Sequence, residues 1–172
     1  MEVWDLYDAN RQIIGEHIRG EELPENAYHL VVHVWIKNQK GQFLISKRSA
    51  DRKLHPLMWE CTGGSVLKGE TSLQAALRES FEEVGIKLDA DKGKFLFSNI
   101  RKQIEGRKFN DILDVWLFDY SGDASLERAT TNEVCAFKWL YPDEILHLYE
   151  SGVFISTLKY FFDTPLLMGC VA

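Results

Sequence analysis

The sequence predicts an α/β or α+β domain in which a mixed β-sheet is packed between α-helices. Short runs rich in β-branched and aromatic residues, which are typical of strands, lie on both sides of one strongly patterned helix at 71–84. Two further helical segments close the chain, so the element order is strands, helix, strands, helices. The 172 residues suffice for a sizeable core, and we expect 1–172 to form a single domain.

The predicted strands follow the chain in a simple order. Residues 1–25 are expected to be an N-terminal extension, a β-hairpin that turns at Asp8, Ala9 and Asn10. A second hairpin is predicted around the turn "NQKG", and short extended pieces alternate with glycines just before the first helix. The remaining predicted strands span 28–38, 42–49, 94–104, 109–122 and 134–141.

The first helix is predicted from both of its ends and from its apolar stripe. Thr71 or Ser72 can accept a hydrogen bond from an unpaired backbone N–H at the start, and Gly85 suits a left-handed C-terminal cap. Apolar residues recur at helical spacing at Leu73, Ala76, Leu77 and Val84. A second helix is predicted over 142–152, where a proline takes the first helical position, and a third over 153–163.

Charge and composition argue against several classes of protein. The formal net charge is −6, so the basic footprint that a nucleic-acid polymer requires is missing from the chain as a whole. No apolar run approaches the roughly 18 residues of a membrane span, and the acidic opening "MEVWDLYDAN" does not resemble a signal peptide. Cys61, Cys135 and Cys170 form no C-x-x-C pair, which predicts free thiols. We therefore expect a cytoplasmic protein.

Three acids crowd one stretch of the first helix. Glu79, Glu82 and Glu83 follow the i, i+3, i+4 spacing, and each like-charged pair costs about 0.2–0.5 kcal/mol on an exposed helix. The last two also lie near the negative end of the helix dipole. A solvated acidic face is the simpler interpretation of such a cluster taken alone. A divalent cation is the alternative that removes the repulsion, because Mg²⁺ prefers oxygen ligands.

A glycine-containing loop enters this helix and changes the balance between the two interpretations. In "GGSVLKGE", Gly63 and Gly64 permit a close approach of backbone that a Cβ atom would prevent. Such a loop can bring backbone groups to a phosphate or a metal. The loop alone is weak evidence, but its fixed distance from an acidic helix favours a site for a phosphorylated ligand with a metal.

These residues together resemble the Nudix box of the Nudix hydrolase family. The family pattern is Gly, five residues, Glu, seven residues, Arg-Glu, an aliphatic residue, one residue, Glu-Glu, one residue, Gly and an aliphatic residue. The stretch 64–86 meets eight of its nine specified positions, at Gly64, Glu70, Arg78, Glu79, Glu82, Glu83, Gly85 and Ile86. The departure is Ser80, which stands where the family prefers an aliphatic residue facing the core.

The resemblance implies a Nudix fold, a mixed sheet between helices, and hydrolysis of a diphosphate joined to another group. By position, metal-binding carboxylates would come from Glu79, Glu82 and Glu83, with Glu70 a further ligand or a support. Arg78 would orient these glutamates through ion pairs. The carbonyl group of Gly64 is a further candidate to face the metal, which would be Mg²⁺ or Mn²⁺. Such a cation neutralises the diphosphate and lowers the pKa of a bound water.

Several residues outside the box are also candidates for the site. Glu133 precedes a predicted strand, where it would be a metal ligand, the catalytic base or a solvated loop residue. His29 and His33 point to one face of a strand, where lining a site competes with packing beside the sheet. Aromatic and basic candidates have equally plain structural alternatives, core packing or a solvated loop: Trp59, Trp116, Lys47, Arg48, Arg52 and Lys53.

A weaker resemblance connects the stretch 29–49, with the Met58 and Trp59 that follow it, with isopentenyl-diphosphate isomerase. That enzyme places Cys-Gly-His at the start of its box, whereas this chain has Gly63-Gly64-Ser65 there. Cys61 lies two positions too early, which displaces it by about 6–7 Å along a strand. His29 is the one feature that matches. The complete hydrolase box therefore favours a hydrolase over an isomerase.

The sequence supports three hypotheses of function. The first is a metal-dependent pyrophosphohydrolase acting on a nucleoside diphosphate linked to another moiety, or on a similar small diphosphate. The second is isomerase-like proton transfer, and the third is a sensor that binds a diphosphate without cleaving it. Residues outside the box determine specificity in such folds, so the substrate itself is not predicted. The N-terminal strands could also pair in a homodimer.

Overall fold

The computed structural model describes residues 2–169, and Cys170 lies outside them. Nine strands are present in this part of the chain: β1 (Val3–Tyr7), β2 (Ile13–Ile18), β3 (His29–Lys37), β4 (Phe43–Arg48), β5 (Trp59–Glu60), β6 (Thr62–Ser65), β7 (Gly93–Ile104), β8 (Arg107–Asp119) and β9 (Val134–Leu140). The helices are α1 (Ser72–Val84), α2 (Pro142–Glu150), α3 (Tyr160–Asp163) and α4 (Pro165–Met168). None of the helices described is long and apolar enough to cross a membrane.

Seven of the strands form one mixed sheet. Its main path runs β5-β4-β3-β8-β7, while β6 pairs with β3 and β9 pairs with β4. The central pair β3–β8 is parallel, and the other pairs are antiparallel. The predicted mixed sheet is therefore confirmed.

The two faces of this sheet carry separate hydrophobic clusters. Alternate residues of β3 belong to different clusters, because successive side chains of a strand point to opposite faces. Val32 and Val34 pack with Ala76 of α1, whereas Trp35 packs with Ile145 of α2 and with residues of α3 and α4. The sheet thus lies between helices, as predicted.

The N-terminal hairpin forms a two-stranded sheet of its own. The Asp8 carboxylate accepts hydrogen bonds from two backbone N–H groups of the turn, as expected for an aspartate in a tight turn. Arg11 follows with a φ of 62° and forms an ion pair with Asp114, which is buried in β8. The Gly69 N–H donates to Asp5 over 2.7 Å. The predicted hairpin is confirmed, and these bonds hold it against β8 and against the loop that enters α1.

Both predicted ends of α1 are confirmed. The Thr71 side chain accepts a hydrogen bond from Gln74, whose own side chain accepts one from the Thr71 N–H, so the two residues form a capping box. Gly85 takes the left-handed conformation at the C-terminus. Ser80 is fully buried, and its hydroxyl donates to the Ala76 carbonyl oxygen over 2.8 Å. The one departure from the family pattern therefore leaves no unpaired polar group in the core.

The predicted helix over 153–163 is only partly correct. The Trp59 N–H donates to the Val153 carbonyl, and the Ile155 N–H donates to the Trp59 carbonyl, so this segment continues the edge of the sheet beside β5. A 3-10 turn follows at Ser156–Leu158, and helix begins only at α3. Backbone pairing with a strand nearly a hundred residues earlier overrides the local helical pattern.

Candidate active site

A cleft of about 460 Å³ opens beside the C-terminal half of α1. Strands β3 and β6 and the ends of β7 and β8 contribute to its walls, and the N-terminal hairpin adds Trp4 and Arg19. The structure brings to this cleft six of the seven residues predicted for catalysis or metal binding: Gly64, Arg78, Glu79, Glu82, Glu83 and Glu133. Glu70 lies behind Arg78 and does not line it.

The Arg78 side chain on α1 forms hydrogen bonds with four residues around it. Its guanidinium binds both carboxylate oxygens of Glu70, at 2.8 and 2.9 Å, and the Ser65 carbonyl oxygen at 2.9 Å. It also pairs with Glu79 at 2.8 Å and with Glu82 at 3.0 Å. A guanidinium has the five donors in a fixed plane that such an arrangement needs. The arginine therefore fixes the glutamates relative to the glycine loop.

Glu83 is the most buried acid of the helix, with 6% of its surface exposed. Its carboxylate accepts a hydrogen bond of 3.2 Å from the Gly63 N–H, which ties the end of α1 to β6. Burial raises the pKa of the Glu83 carboxyl well above its ordinary value, and the neighbouring carboxylates of Glu79 and Glu60 raise it further. A buried group of this kind is stable as an anion only beside a compensating positive charge.

Glu79 lies against Gly64 in the same cluster. A methyl group added to Gly64 would lie closer than 3.0 Å to the carboxylate carbon and to both oxygens of Glu79. The glycine therefore provides the space in which this carboxylate sits. Burial raises the pKa of Glu79 to about 7, against the lowering influence of Arg78.

Two further acids approach the cluster from the sheet, and only Glu133 is predicted from the sequence. Glu133 lies at the start of β9 and pairs with Arg52 at 2.7 Å. Glu60 lies in β5 and pairs with Arg48 at 2.6 Å, and burial raises its pKa. Glu60 was missed because it stands alone in a two-residue strand. Its approach to the helix depends on the pairing of β5 with β4, which leaves no signal in the local sequence.

Some of the remaining predicted residues line the cleft, and the others lie elsewhere in the molecule. His29 and His33 both line the cleft, as do Arg48 and Arg52. The other candidates do not contribute to its walls: Trp59, Trp116, Lys47 and Lys53. Trp59 packs in the core under two lysine side chains, and the Trp116 indole donates to the Ser72 hydroxyl over 2.7 Å, so core packing explains both.

Cys61 lies at the floor of the cleft and is 4% exposed. Burial raises the pKa of its thiol well above the ordinary value, and the carboxylates of Glu60 and Glu83 act in the same direction. The thiol is therefore protonated and weakly nucleophilic. Cys61 and Cys135 are both free, in agreement with the prediction for these two residues.

The donors around Gly64 fit a hard divalent cation. Glu79 and Glu83 offer carboxylate oxygens in a buried setting that disfavours their charge, and a cation of this class would supply the missing compensation. Within residues 2–169, no three side chains of His, Cys, Asp or Glu are close enough together to hold a metal ion as they stand. Arg78 holds Glu79 and Glu82, so ligation would draw these carboxylates away from the guanidinium.

Comparison with known proteins agrees with this geometry. The family model of the NUDIX domain matches residues 27–157. An uncharacterised Nudix hydrolase of Listeria monocytogenes is 41% identical over 166 residues, which cover 94% of this chain and 91% of the relative. A counterpart in Listeria innocua is 40% identical over 164 residues, with the same coverage.

Solved structures show the same fold. DR0079 from Deinococcus radiodurans superimposes with a TM-score of 0.72 at 24% identity, over 99% of this chain and 100% of that one. A MutT protein from Methanosarcina mazei gives a TM-score of 0.64 at 24% identity, over 79% and 91% of the two chains. The domain match, the close relatives and the eight matched positions of the box lead to one conclusion: the chain belongs to the Nudix hydrolase family and is an enzyme of the pyrophosphohydrolase type.

Proposed function

We propose that the protein hydrolyses the pyrophosphate bond of a nucleoside diphosphate linked to another moiety, or of a similar small diphosphate, with Mg²⁺ or Mn²⁺ as cofactor. The observation that supports this most strongly is the pair of buried carboxylates, Glu79 and Glu83, beside the space left by Gly64. Two buried acids with raised pKa values in a cleft are typical of a functional site rather than of a structural ion pair.

The roles of the acids follow from what each already contacts. Glu79, Glu82 and Glu83 would hold the cation, because their oxygens are bound by only Arg78 or a single backbone N–H. Both oxygens of Glu70 face Arg78, and one also accepts from the Leu67 N–H, which favours a supporting role. The Gly64 carbonyl group is the backbone candidate at the same point.

A bound divalent cation would neutralise the diphosphate and lower the pKa of a water at the phosphorus. The protein's own contribution is positional. Arg78 holds the glutamate carboxylates in fixed positions relative to one another. The walls of the cleft would hold the phosphorus atom in line with the attacking water. Glu133 is the candidate to accept the proton from that water, because it is 35% exposed at the rim and held in place by Arg52.

Two structural neighbours suggest the first compounds to test. The NUDIX domain of Shewanella oneidensis NrtR is described in complex with ADP ribose, at 16% identity and a TM-score of 0.58. A bifunctional protein from Francisella tularensis, with an ADP ribose pyrophosphatase activity, is described in complex with AMP and a manganese ion, at 22% identity and 0.59. A cleft of about 460 Å³ has the size of a small-molecule site.

The test is a substrate panel with and without Mg²⁺. Nucleotide sugars, dinucleotides, nucleoside triphosphates and isoprenoid diphosphates are incubated with the protein, and products are separated by chromatography. We expect metal-dependent release of monophosphate products from at least one diphosphate ester. Binding without cleavage across the panel would support the sensor hypothesis instead.

The isomerase hypothesis makes a different prediction in the same panel. It requires a reactive thiol at Cys61, whereas the buried thiol is protonated. We expect isopentenyl diphosphate to be returned without rearrangement. Turnover of that compound, abolished by Cys61→Ser, would favour the isomerase.

Homodimer formation is a separate proposal that concerns the N-terminal hairpin. Ile13 and Ile14 on β2 are 63% and 55% exposed, so this strand offers apolar surface for pairing. Light scattering of the wild type and of the variant Ile13→Lys would test it, since a dimer that uses this strand should dissociate in the variant.

A further inference from the structure

We propose that His33 is a substrate-binding residue whose neutral imidazole donates a hydrogen bond from Nε2 to a phosphate oxygen of the substrate. Tyr160 is the positioning residue that fixes this tautomer. The identity of the ligand rests on the proposed function, because a diphosphate is taken as the substrate. The tautomer of the free protein does not depend on it.

Three hydrogen-bonded side chains form a chain under the floor of the cleft. The indole Nε1 of Trp35 donates to the Tyr160 hydroxyl oxygen over 3.1 Å. The same hydroxyl lies 2.8 Å from Nδ1 of His33. Trp35 is fully buried, and of the three only His33 lines the cleft. The chain therefore leads from the core to the site.

The number of available hydrogens favours one direction for these bonds. An indole nitrogen can only donate, so the Tyr160 oxygen accepts from Trp35. A phenol has one hydrogen, and His33 Nδ1 is the acceptor within 2.8 Å of it. When Tyr160 donates to Nδ1, a neutral His33 must carry its own hydrogen on Nε2. Burial and the nearby Arg101 lower the pKa of His33 well below its ordinary value, which keeps the ring neutral.

The Cys61 sulfur is the competing acceptor for the Tyr160 hydrogen. It lies close to the tyrosine and acts to raise the pKa of the Tyr160 hydroxyl. Sulfur is a weak acceptor, whereas an unprotonated imidazole nitrogen is a strong one. The imidazole is thus favoured, and the experiment below separates the two arrangements.

His33 lines the cleft in which the diphosphate would bind. Its Nε2 atom has no hydrogen-bond partner within residues 2–169 and is not among their unpartnered polar atoms that are shielded from solvent, so it is accessible to solvent. His33 stands directly opposite Gly63 in the β3–β6 ladder, and the Gly63 N–H binds Glu83. Opposed residues of antiparallel strands have Cα atoms about 4.5–5.5 Å apart. The backbone of His33 therefore lies beside the backbone of Gly63, whose N–H binds Glu83, and all three residues line the same cleft.

The first experiment reads the tautomer directly. Nitrogen NMR of the protein labelled at histidine distinguishes a protonated from an unprotonated ring nitrogen. We expect His33 to be protonated at Nε2 in the wild type, and to lose this preference in Tyr160→Phe. Tyr149→Phe is the matched control, because it removes a hydroxyl from a half-buried tyrosine on α2 and should leave His33 unchanged.

A wild-type spectrum with the hydrogen on Nδ1 would overturn the proposal. That measurement needs no variant, so it remains decisive even where Tyr160→Phe does not fold. An unchanged tautomer in a folded Tyr160→Phe protein would refute the positioning role of the tyrosine.

The second experiment tests the contact with phosphate. The probe is imidodiphosphate with Mg²⁺, in which a nitrogen replaces the bridging oxygen and slows hydrolysis, and adenosine is the phosphate-free comparison. Imidodiphosphate should shift the Nε2–H resonance, and adenosine should not. His33→Ala should weaken imidodiphosphate binding about tenfold or more, since a hydrogen bond to a charged group is lost. His147→Ala, on the exposed face of α2, is the control that should bind normally.

The outcomes separate this proposal from the proposed function. Equal affinity in His33→Ala and the wild type, or a response to adenosine alone, would overturn the role of His33. A protein that binds imidodiphosphate through His33 but cleaves nothing in the substrate panel would refute the hydrolase proposal and leave the role of His33 standing.

Discussion

Gly64→Ala should remove most of the activity while leaving the fold intact. The φ angle of Gly64 is not in the left-handed region, so alanine is sterically allowed by the backbone itself. The added methyl group would instead meet the carboxylate of Glu79, which is the flexible end of a side chain. The carboxylate must therefore move and the backbone need not.

The size of the effect follows from that displacement. The farther Glu79 oxygen would lie 2.8 Å from the new methyl carbon, whereas ordinary van der Waals contact begins at 3.4 Å. The carboxylate must shift by roughly 0.6 Å or more, which exceeds the tolerance of about 0.2 Å of a metal–oxygen bond. Misplacements of this order cost about 10–100-fold, so we expect kcat/KM to fall by that factor. The free energy of unfolding should change by less than about 1 kcal/mol.

Two other glycine variants are the controls. Gly15→Ala adds a methyl group to β2 with nothing within 4 Å, so activity and stability should both persist. Gly63→Ala places its methyl against the Val32 carbonyl oxygen of β3, and the backbone must move. Strain of that kind costs about 1–3 kcal/mol and should lower Tm by about 2–10 °C.

The assay combines steady-state hydrolysis of the best substrate in the panel with thermal unfolding of the same preparations. A folded Gly64→Ala protein with the kcat/KM of the wild type would refute the reasoning. The Glu79 carboxylate would then have been displaced without loss of activity, which is not expected of a metal ligand. A large fall in Tm for Gly64→Ala would also contradict it, because it would show that the space beside Gly64 serves packing.

Three further predictions concern the acids and their arginine. Glu83→Gln should lower kcat by at least about 100-fold, because a ligand of the cation is lost. Its Tm should not fall, because a neutral amide is easier to bury than a carboxylate. The exposed control Glu150→Gln should match the wild type in both assays. Without metal, the pKa of Glu79 is about 7 in the folded protein and near 4.5 in the unfolded chain. The contribution of Glu79 to the free energy of unfolding is therefore complete below pH 4.5 and is lost as the pH rises through 7. The total loss is up to about 3 kcal/mol. Thermal unfolding should therefore show a stabilisation by Mg²⁺ that grows from pH 5 to pH 8, and a pH-independent shift would contradict this. Arg78→Lys should lower Mg²⁺ affinity about 10–100-fold by calorimetry, because lysine cannot hold Glu70 with two parallel bonds, and unchanged affinity would argue against the orienting role.

The parts of the fold that local pattern determines could be predicted from the sequence. Helix α1 is one of these, because Thr71 and Gly85 mark its ends and the apolar stripe sets its buried face. The strands were predicted for the same reason, since alternation reflects burial on the two faces of one sheet. The helix expected over 153–163 failed where hydrogen bonds to Trp59 decide the conformation.

The site shows the same division between local and distant contacts. The spacing of Glu79, Glu82 and Glu83 is visible in the sequence because one helix carries all three. Glu60 reaches the cluster only through the pairing of β5 with β4, which spacing cannot reveal. Likewise, the bond between His33 and Tyr160 joins residues 127 positions apart. The helix-borne acids, Glu133 and His33 could therefore be named from the sequence, whereas the contributions of Glu60 and Tyr160 depend on contacts between distant segments and were missed.

The account depends most on a divalent cation being held by the buried acids of α1. The direct measurement is a crystal structure with Mn²⁺ soaked in and its anomalous scattering recorded, compared with the same soak of Glu83→Gln. We expect an anomalous peak within coordination distance of the Glu79 and Glu83 carboxylates in the wild type, and a weaker peak or none in the variant. A peak elsewhere, or one of equal strength in both crystals, would contradict the account.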